Sequence, residues 1–322
     1  MMRRRQHVAT LYASYFQEQT LYHPQKKKLI HSNNLLGLVK RLDICSFSSS
    51  SLEVKKADRS KLLSVAIVGG GPSGFYTAKY LKSEVEKLNN KHEEHQHRLH
   101  IDIIEKMPIP FGLVRYGVAP DHPETKNVEK DFSSLICKDS DMGSTTPINY
   151  VGNVTVGNDT VGVSLQELLD LYDAVVLCYG CHSDKKLVME GADMRGILSA
   201  REFVAWYNGH PDFVQIGEEV KQLIAHPSPE AAHVVIIGQG NVALDCARIL
   251  SKGAMGLLDT DITSHALPVL QGGVKQVTVI GRRGHIQGAF TIKELRELTK
   301  LMEHGYNTSF TVFKGNFNAN IP

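Results

Sequence analysis

Short runs rich in apolar, mostly β-branched residues punctuate the chain: Val65 to Val68, Ile101 to Ile104 (broken by Asp102), Ala174 to Leu177, Val234 to Ile237 and Val277 to Ile280 (broken by Thr278). Near-continuous apolar runs of this length predict strands of a parallel sheet covered on both faces. Between them, apolar residues at three- and four-residue intervals predict helices, one starting near Ser73 and others at Leu165 to Tyr172, Val242 to Leu250 and Gln287 to Leu301. In the last of these, Ile292, Leu295 and Leu298 form the inward stripe and Lys293, Arg296 and Lys300 the outward one. Ser164 followed by Glu167 predicts a capping box. Short helices at Ala200 to Trp206 and Glu218 to Ala225 and a short strand around Tyr150 to Val156 complete the pattern. Strands alternating with helices predict an α/β architecture.

Two of the strands run directly into glycine loops. Gly69, Gly71 and Gly74 match G-x-G-x-x-G, with Ser73 inside the loop, and the helix that follows turns its amino end towards an anion. The strand Ile101 to Ile104 delivers Glu105 at its carboxyl end, where an acid can accept hydrogen bonds from a ribose. Its distance from Gly69 exceeds the usual spacing of about 20 residues, and the polar segment Asn89 to His100 accounts for the excess. The second loop, Gly238-Gln239-Gly240-Asn241-Val242-Ala243, repeats the design as G-x-G-x-x-A. There the next strand ends in Gly281-Arg282-Arg283-Gly284, with no acid. A guanidinium pair suits a 2′-phosphate, because Arg presents a planar, bidentate set of donors. Two dinucleotide sites are expected, the second selective for NADP(H).

Between Glu105 and the next strands lies Met107 to Pro123, a proline- and glycine-rich loop of the kind that carries function. Phe111, Leu113 and Tyr116 are expected to offer apolar surface to a flat ring system and Arg115 a cation. His122 is the one residue of the loop able to move protons near neutral pH, or else a turn histidine held by Asp121. Cys178-Tyr179-Gly180-Cys181-His182 matches both the redox C-x-x-C and the haem attachment C-x-x-C-H patterns. Its position at the end of a buried strand favours packing and turn roles, with a thiol/disulfide reductase as the alternative.

Charge separates the first 57 residues from the rest. They hold ten Lys or Arg against three acids, with many hydroxyl residues, as organelle transit peptides do. A mitochondrial presequence without fixed structure is expected over residues 1–57. Residues 58–322 carry 26 bases and 31 acids, a balance that argues against a nucleic-acid surface. No apolar run approaches the roughly 18 to 20 residues that span a bilayer. No metal site is expected.

GGGPSGFYTAKYL, PFGLVRYGVAPDHPETKNV, GQGNVALDCARIL and GRRGHIQGAFTIKELREL together resemble mitochondrial NADPH:ferredoxin reductases of the adrenodoxin reductase type, over about residue 64 to residue 301. The resemblance implies two Rossmann-like domains: an FAD domain at 58–184, lacking its C-terminal return segment, and an incomplete NADP domain at 185–322. It implies FAD contacts at Ser73, Glu105, Leu113 and Val156, and NADP contacts at Gln239, Gly240, Asn241, Val242, Arg282, Arg283 and Glu294. His122 and Asp245 become candidates for a proton route. The implied partner is an acidic [2Fe-2S] ferredoxin in the mitochondrial matrix, docking on Lys293, Arg296 and Lys300, with any inner-membrane association peripheral. The family has small residues where Cys178 and Cys181 stand, and its chain continues past the point reached at Pro322. A truncated, non-catalytic form is therefore the second expectation.

Overall fold

The computed structural model describes residues 20–23, 28–31, 62–91, 96–137, 145–157, 162–181, 183–184, 188, 190–224, 233–271, 274, 276–281 and 288–301. The chain forms two compact units. The first runs to Arg115 and resumes from Thr125 to Ser183; the second combines Tyr116–Glu124 with the chain from Asp184 onward.

The elements of the first unit are β1 (Thr20–His23), β2 (Lys28–His31), β3 (Leu63–Val68), α1 (Pro72–Lys91), β4 (Leu99–Ile104), α2 (Leu113–Tyr116), α3 (Pro123–Lys126), α4 (Val128–Cys137), β5 (Ile148–Val151), α5 (Leu165–Leu171) and β6 (Ala174–Leu177), with α2 and α3 reaching across the division. Its sheet has the order β2-β1-β6-β3-β4-β5. β3 pairs parallel with both β4 and β6, and β4 with β5. That parallel core is the doubly wound arrangement, whose ligand crevice opens at the carboxyl ends where the chain order reverses beside the first strand. β1 pairs antiparallel with β2 and with β6, so part of the segment expected to lack structure takes strand conformation. The physical reason is the outer edge of β6, whose backbone donors and acceptors need partners.

Alternate residues of β3 explain its unbroken apolar run. Val65 and Ile67 enter a cluster with Phe75, Leu81, Ile103 and Phe132, while Ala66 and Val68 enter another with Ile104, Leu168 and Val175. The sheet is covered on both faces, as predicted. α5 begins with the capping box: Ser164 Oγ accepts from Glu167 N–H at 3.2 Å, and Ser164 N–H donates back to Glu167 Oε2 at 2.7 Å.

In the second unit, α6 (Ala200–Tyr207), α7 (Ile216–Ile224), β7 (His233–Ile237), α8 (Asn241–Lys252), β8 (Gln276–Ile280) and α9 (Ile292–Lys300) surround a core of Trp206, Tyr207, Ile249, Leu257 and Leu270. β7 and β8 pair parallel, residue for residue from His233↔Gln276 to Ile237↔Ile280. Here the prediction of strands buried on both sides fails. Val234, Ile236 and Val277 pack inward, but Val235, Ile237 and Ile280 are exposed, because no described element lies over their face. Ile292, expected on the inward stripe of α9, is 73 % exposed. It stands at the first turn, beyond the reach of the cluster that takes Leu298 and Leu295. Among the described residues no helix is long and apolar enough to cross a membrane.

Candidate functional site

The first glycine loop is built by close backbone approaches. Gly69 adopts φ +114°, and a Cβ there would strike the Cys178 carbonyl at the mouth of β6. A Cβ on Gly74 would overlap the Gly69 carbonyl oxygen, whereas one on Gly71 would meet nothing within 4 Å. So Gly69 and Gly74 close the turn, and Gly71 faces open space at the amino end of the 20-residue helix α1. Exposed donors at a helix amino end, with room above a glycine, are what a pyrophosphate requires.

Glu105 sits where the sequence places it. Gly70 N–H donates to its Oε2 at 2.5 Å and Met107 N–H to its Oε1 at 3.0 Å, which fixes the carboxylate and leaves lone pairs for ribose hydroxyls. The loop after it is tied to the cradle, with Phe111 N–H donating to the Gly70 carbonyl at 2.8 Å. A Cβ on Gly112 would stand 3.1 Å from the Cα of Gly71. Leu113, 52 % exposed, keeps its apolar side chain available. Phe111 and Tyr116 do not. Phe111 is buried despite its φ of +87°, its ring 5.1 Å from that of Phe75. Tyr116 is buried in the second unit, 4.7 Å from the His210 ring. Arg115 lies over the Phe111 ring and 3.7 Å from Glu129. Val156 is half-buried and bridges to Val163. Ser73 lies in the first turn of α1, on the side of Cys178, whose thiol it and Thr77 approach.

Cys178 is buried, its Sγ 3.7 Å from Thr77 Oγ1, and burial pushes its thiol up against the pull of those hydroxyls. Cys181 is exposed. A buried, protonated thiol is a poor nucleophile, so packing accounts for Cys178; His182 lies outside the described residues.

In the second unit Gly238 takes φ +136°, and Cβ atoms on Gly238 and Gly240 would meet nothing within 4 Å. Gly240 caps α8 without a side-chain hydrogen bond, leaving the helix donors facing outward together with Val242, which is exposed. The segment that leads into α9 is strapped to the glycine loop. Ala289 N–H donates to the Gln239 carbonyl at 2.9 Å, and Thr291 N–H to Asn241 Oδ1 at 2.8 Å. The Gln239 side chain lies across Gly281. Arg282 and Arg283 fall outside the described residues.

Asp245 and Glu294 meet in this unit at a residue that sequence reasoning missed, Arg248, and His122 stands beside Glu294. Its guanidinium is buried and donates to Asp121 through Nε at 2.8 Å and Nη2 at 3.0 Å, to Asp245 at 2.7 Å and to Glu294 at 3.2 Å. Lys252 reaches Asp121 at 2.7 Å. Burial alone would raise the Asp121 carboxyl, but Arg248 and Lys252 outweigh it and hold it well below the usual carboxylate range. Glu294 goes the other way: burial and the neighbouring Asp245 raise it. His122 is buried, with Nε2 2.6 Å from Glu297 Oε2 and 3.9 Å from Glu294 Oε2, so its partner is Glu297 and not Asp121. The sole signal of this hub in the sequence is the i, i+3 spacing of Asp245 and Arg248 on one helix face. Lys293, one of the three expected docking cations, pairs with Glu124 at 2.7 Å, whereas Arg296 and Lys300 are exposed on α9.

Residues 63–307 match the family described as pyridine nucleotide-disulphide oxidoreductase. The chain belongs to this family. Among curated pyridine nucleotide-disulphide oxidoreductases, the mitochondrial NADPH:adrenodoxin oxidoreductase of Arabidopsis thaliana is 47 % identical over 240 residues, 74 % of this chain and 44 % of that protein. The enzyme of the same name from Bos taurus is 47 % identical over 238 residues, covering 74 % and 42 %. FprA of Mycobacterium tuberculosis, solved in complex with NADPH, is 40 % identical with a TM-score of 0.63, over 75 % of this chain and 48 % of FprA. The chain thus spans less than half the length of the relatives it matches. These likenesses agree with Rossmann-like α/β units in the pyridine nucleotide-disulphide oxidoreductase manner.

Proposed function

We propose that this chain carries the FAD and NADPH sites of a mitochondrial flavoprotein reductase that passes electrons from NADPH through FAD to an adrenodoxin-like [2Fe-2S] ferredoxin. The observation that carries the reading is the pairing of two glycine cradles with opposite ribose chemistry: Glu105 fixed beside the first, Arg282-Arg283 following the second. A carboxylate accepts hydroxyls and repels a 2′-phosphate; guanidinium groups do the reverse. The likeness to adrenodoxin oxidoreductases and to NADPH-bound FprA supports it.

FAD, when bound, supplies the conversion of a hydride donor's electron pair into single-electron transfers. The chain's own residues bind and orient. Gly71 and Ser73 receive the flavin nucleotide's pyrophosphate on the turn that Gly69 and Gly74 close, Glu105 receives its ribose, and Leu113 and Val156 supply apolar contact. Gln239, Gly240, Asn241 and Val242 receive the pyrophosphate of NADPH, and Asn241 also holds Thr291, so the strap carrying the arginine loop depends on it. Glu294 is kept in place by Arg248. For the proton, His122 with Glu297 is a pair 2.6 Å apart able to hold it, while Asp245, engaged by Arg248, positions that arginine. An acidic ferredoxin would meet Arg296 and Lys300, Lys293 being engaged by Glu124. The basic amino-terminal segment and the mitochondrial names of the relatives support a matrix location.

The test is Arg282→Ala combined with Arg283→Ala. NADPH binding should weaken by roughly 2 to 4 kcal/mol, the scale of lost charged hydrogen bonds, with NADH nearly unchanged. Equal losses for both nucleotides would remove the 2′-phosphate reading.

A further inference from the structure

Glu105 is held by more than the two amides that donate to it. Met107, whose N–H donates to Glu105 Oε1 at 3.0 Å, is itself anchored on its other side. Its carbonyl accepts from the Tyr150 hydroxyl at 3.0 Å and from Asn153 N–H at 3.1 Å. Two donors use both lone pairs of that carbonyl, and the following Pro108 confines Met107 to extended backbone. Tyr150 comes from β5, whose register with β4 sets it opposite Ile103. Its ring has little freedom. One edge lies against Gly70, where an added Cβ would stand 2.9 Å from Tyr150 Cε2, and the other against Gly152, where a Cβ would stand 2.9 Å from Cε1. Phe75 stacks with the ring, the centroids 6.4 Å apart. Gly70 also supplies the second amide on Glu105, so this one side chain abuts both of the residues that hold the carboxylate.

We propose that Tyr150 is a positioning residue for the first nucleotide site: its hydroxyl, acting through Met107, aims the Glu105 carboxylate at the ribose hydroxyls. This role rests on the FAD reading of that site. A glutamate at a strand end can turn about its side-chain bonds, and a carboxylate already fixed by two amides loses less freedom when a ribose arrives than one that must be ordered on binding. Tyr150 itself need not touch the nucleotide. Tyr150→Phe keeps the ring between its two glycines and leaves the Met107 carbonyl with Asn153 N–H as a donor. No polar group is orphaned by that change, so it separates the aim of the carboxylate from the stability of the fold.

The experiment is a cycle on the full chain with Tyr150→Phe, Glu105→Ala and the two combined, FAD binding being followed by quenching of flavin fluorescence. Tyr150→Phe should weaken FAD binding roughly 2- to 10-fold, the scale of one hydrogen bond. In the Glu105→Ala background the same change should have no effect, because the hydroxyl then has no carboxylate to aim. A hydroxyl that only stabilised the fold would give equal losses in both backgrounds. Without flavin, hydrogen exchange at the Met107 amide, read by mass spectrometry of the peptides spanning it, should quicken in Tyr150→Phe. That arm is independent of FAD: a parent chain that binds none would remove the FAD reading, while the exchange still decides the link through Met107. Thermal melts check each variant's fold, and Glu105→Asp, whose carboxylate is one carbon shorter, replaces Glu105→Ala if that variant fails to fold. Equal losses of FAD affinity in the two backgrounds, or a Met107 exchange rate that Tyr150→Phe leaves unchanged, would overturn the role given to Tyr150.

Discussion

Gly71 and Gly74 stand three residues apart in one loop and should fail differently when given a side chain. At Gly74 the added carbon collides with the Gly69 backbone, so Gly74→Ala should disrupt the turn and lower the melting temperature. At Gly71 the space is open. Gly71→Ala should therefore melt as the parent does while losing FAD retention, because its methyl occupies the approach of the pyrophosphate; a parent-like flavin content would refute the cradle. The Arg248 hub yields a second pair of outcomes. Asp121→Asn leaves a buried guanidinium short of its bidentate partner and should cost about 3 kcal/mol in denaturant unfolding. Asp121 has a depressed folded pKa, so its stabilisation is present above the unfolded value of about 3.9 and lost as pH falls through the lower folded value. The parent should lose stability below about pH 4, and Asp121→Asn should flatten that acid limb. The glycines and Glu105 were legible in the sequence because a turn and a strand end give each a mechanical reason. The hub was not: its members lie as far apart as Asp121 and Glu294, and helical periodicity does not say which polar residue a buried arginine meets.

At the level of elements, strand positions were readable from apolar runs, but their coverage was not. β3 and β7 look alike in sequence, yet among the described residues β3 is sandwiched and β7 is covered on one face. Ile249→Ala, in the core of the second unit, should cost about 2 to 5 kcal/mol, while Ile237→Ala, at a residue 63 % exposed, should cost under about 1 kcal/mol. Comparable losses at the two sites would mean that the outer face of β7 is buried in solution. The caps are local and were anticipated at Ser164. Thr291 caps α9 in the same way, accepting from Glu294 N–H at 3.3 Å. Thr291→Ala should cost about 1 kcal/mol in denaturant unfolding and leave NADPH affinity nearly unchanged, because the bond to Asn241 is made by the Thr291 backbone N–H and survives the substitution.

For the whole molecule, two repeated strand–glycine loop–helix units announced two nucleotide-type units, and the chain forms two. The division of the loop after Glu105 was hidden. Residues up to Arg115 pack with the first unit and Tyr116–Glu124 with the second, since composition identifies a loop without saying which core receives its aromatic residues. Segments carrying Arg282 and Arg283 keep their meaning from sequence alone. The most direct test of the two-cofactor account is the visible absorption spectrum of the purified full chain, reconstituted with FAD and then mixed anaerobically with NADPH. The account predicts retained flavin bands that bleach on NADPH addition and persist far longer with NADH. A colourless protein, or flavin bands that NADPH leaves unchanged, would contradict it.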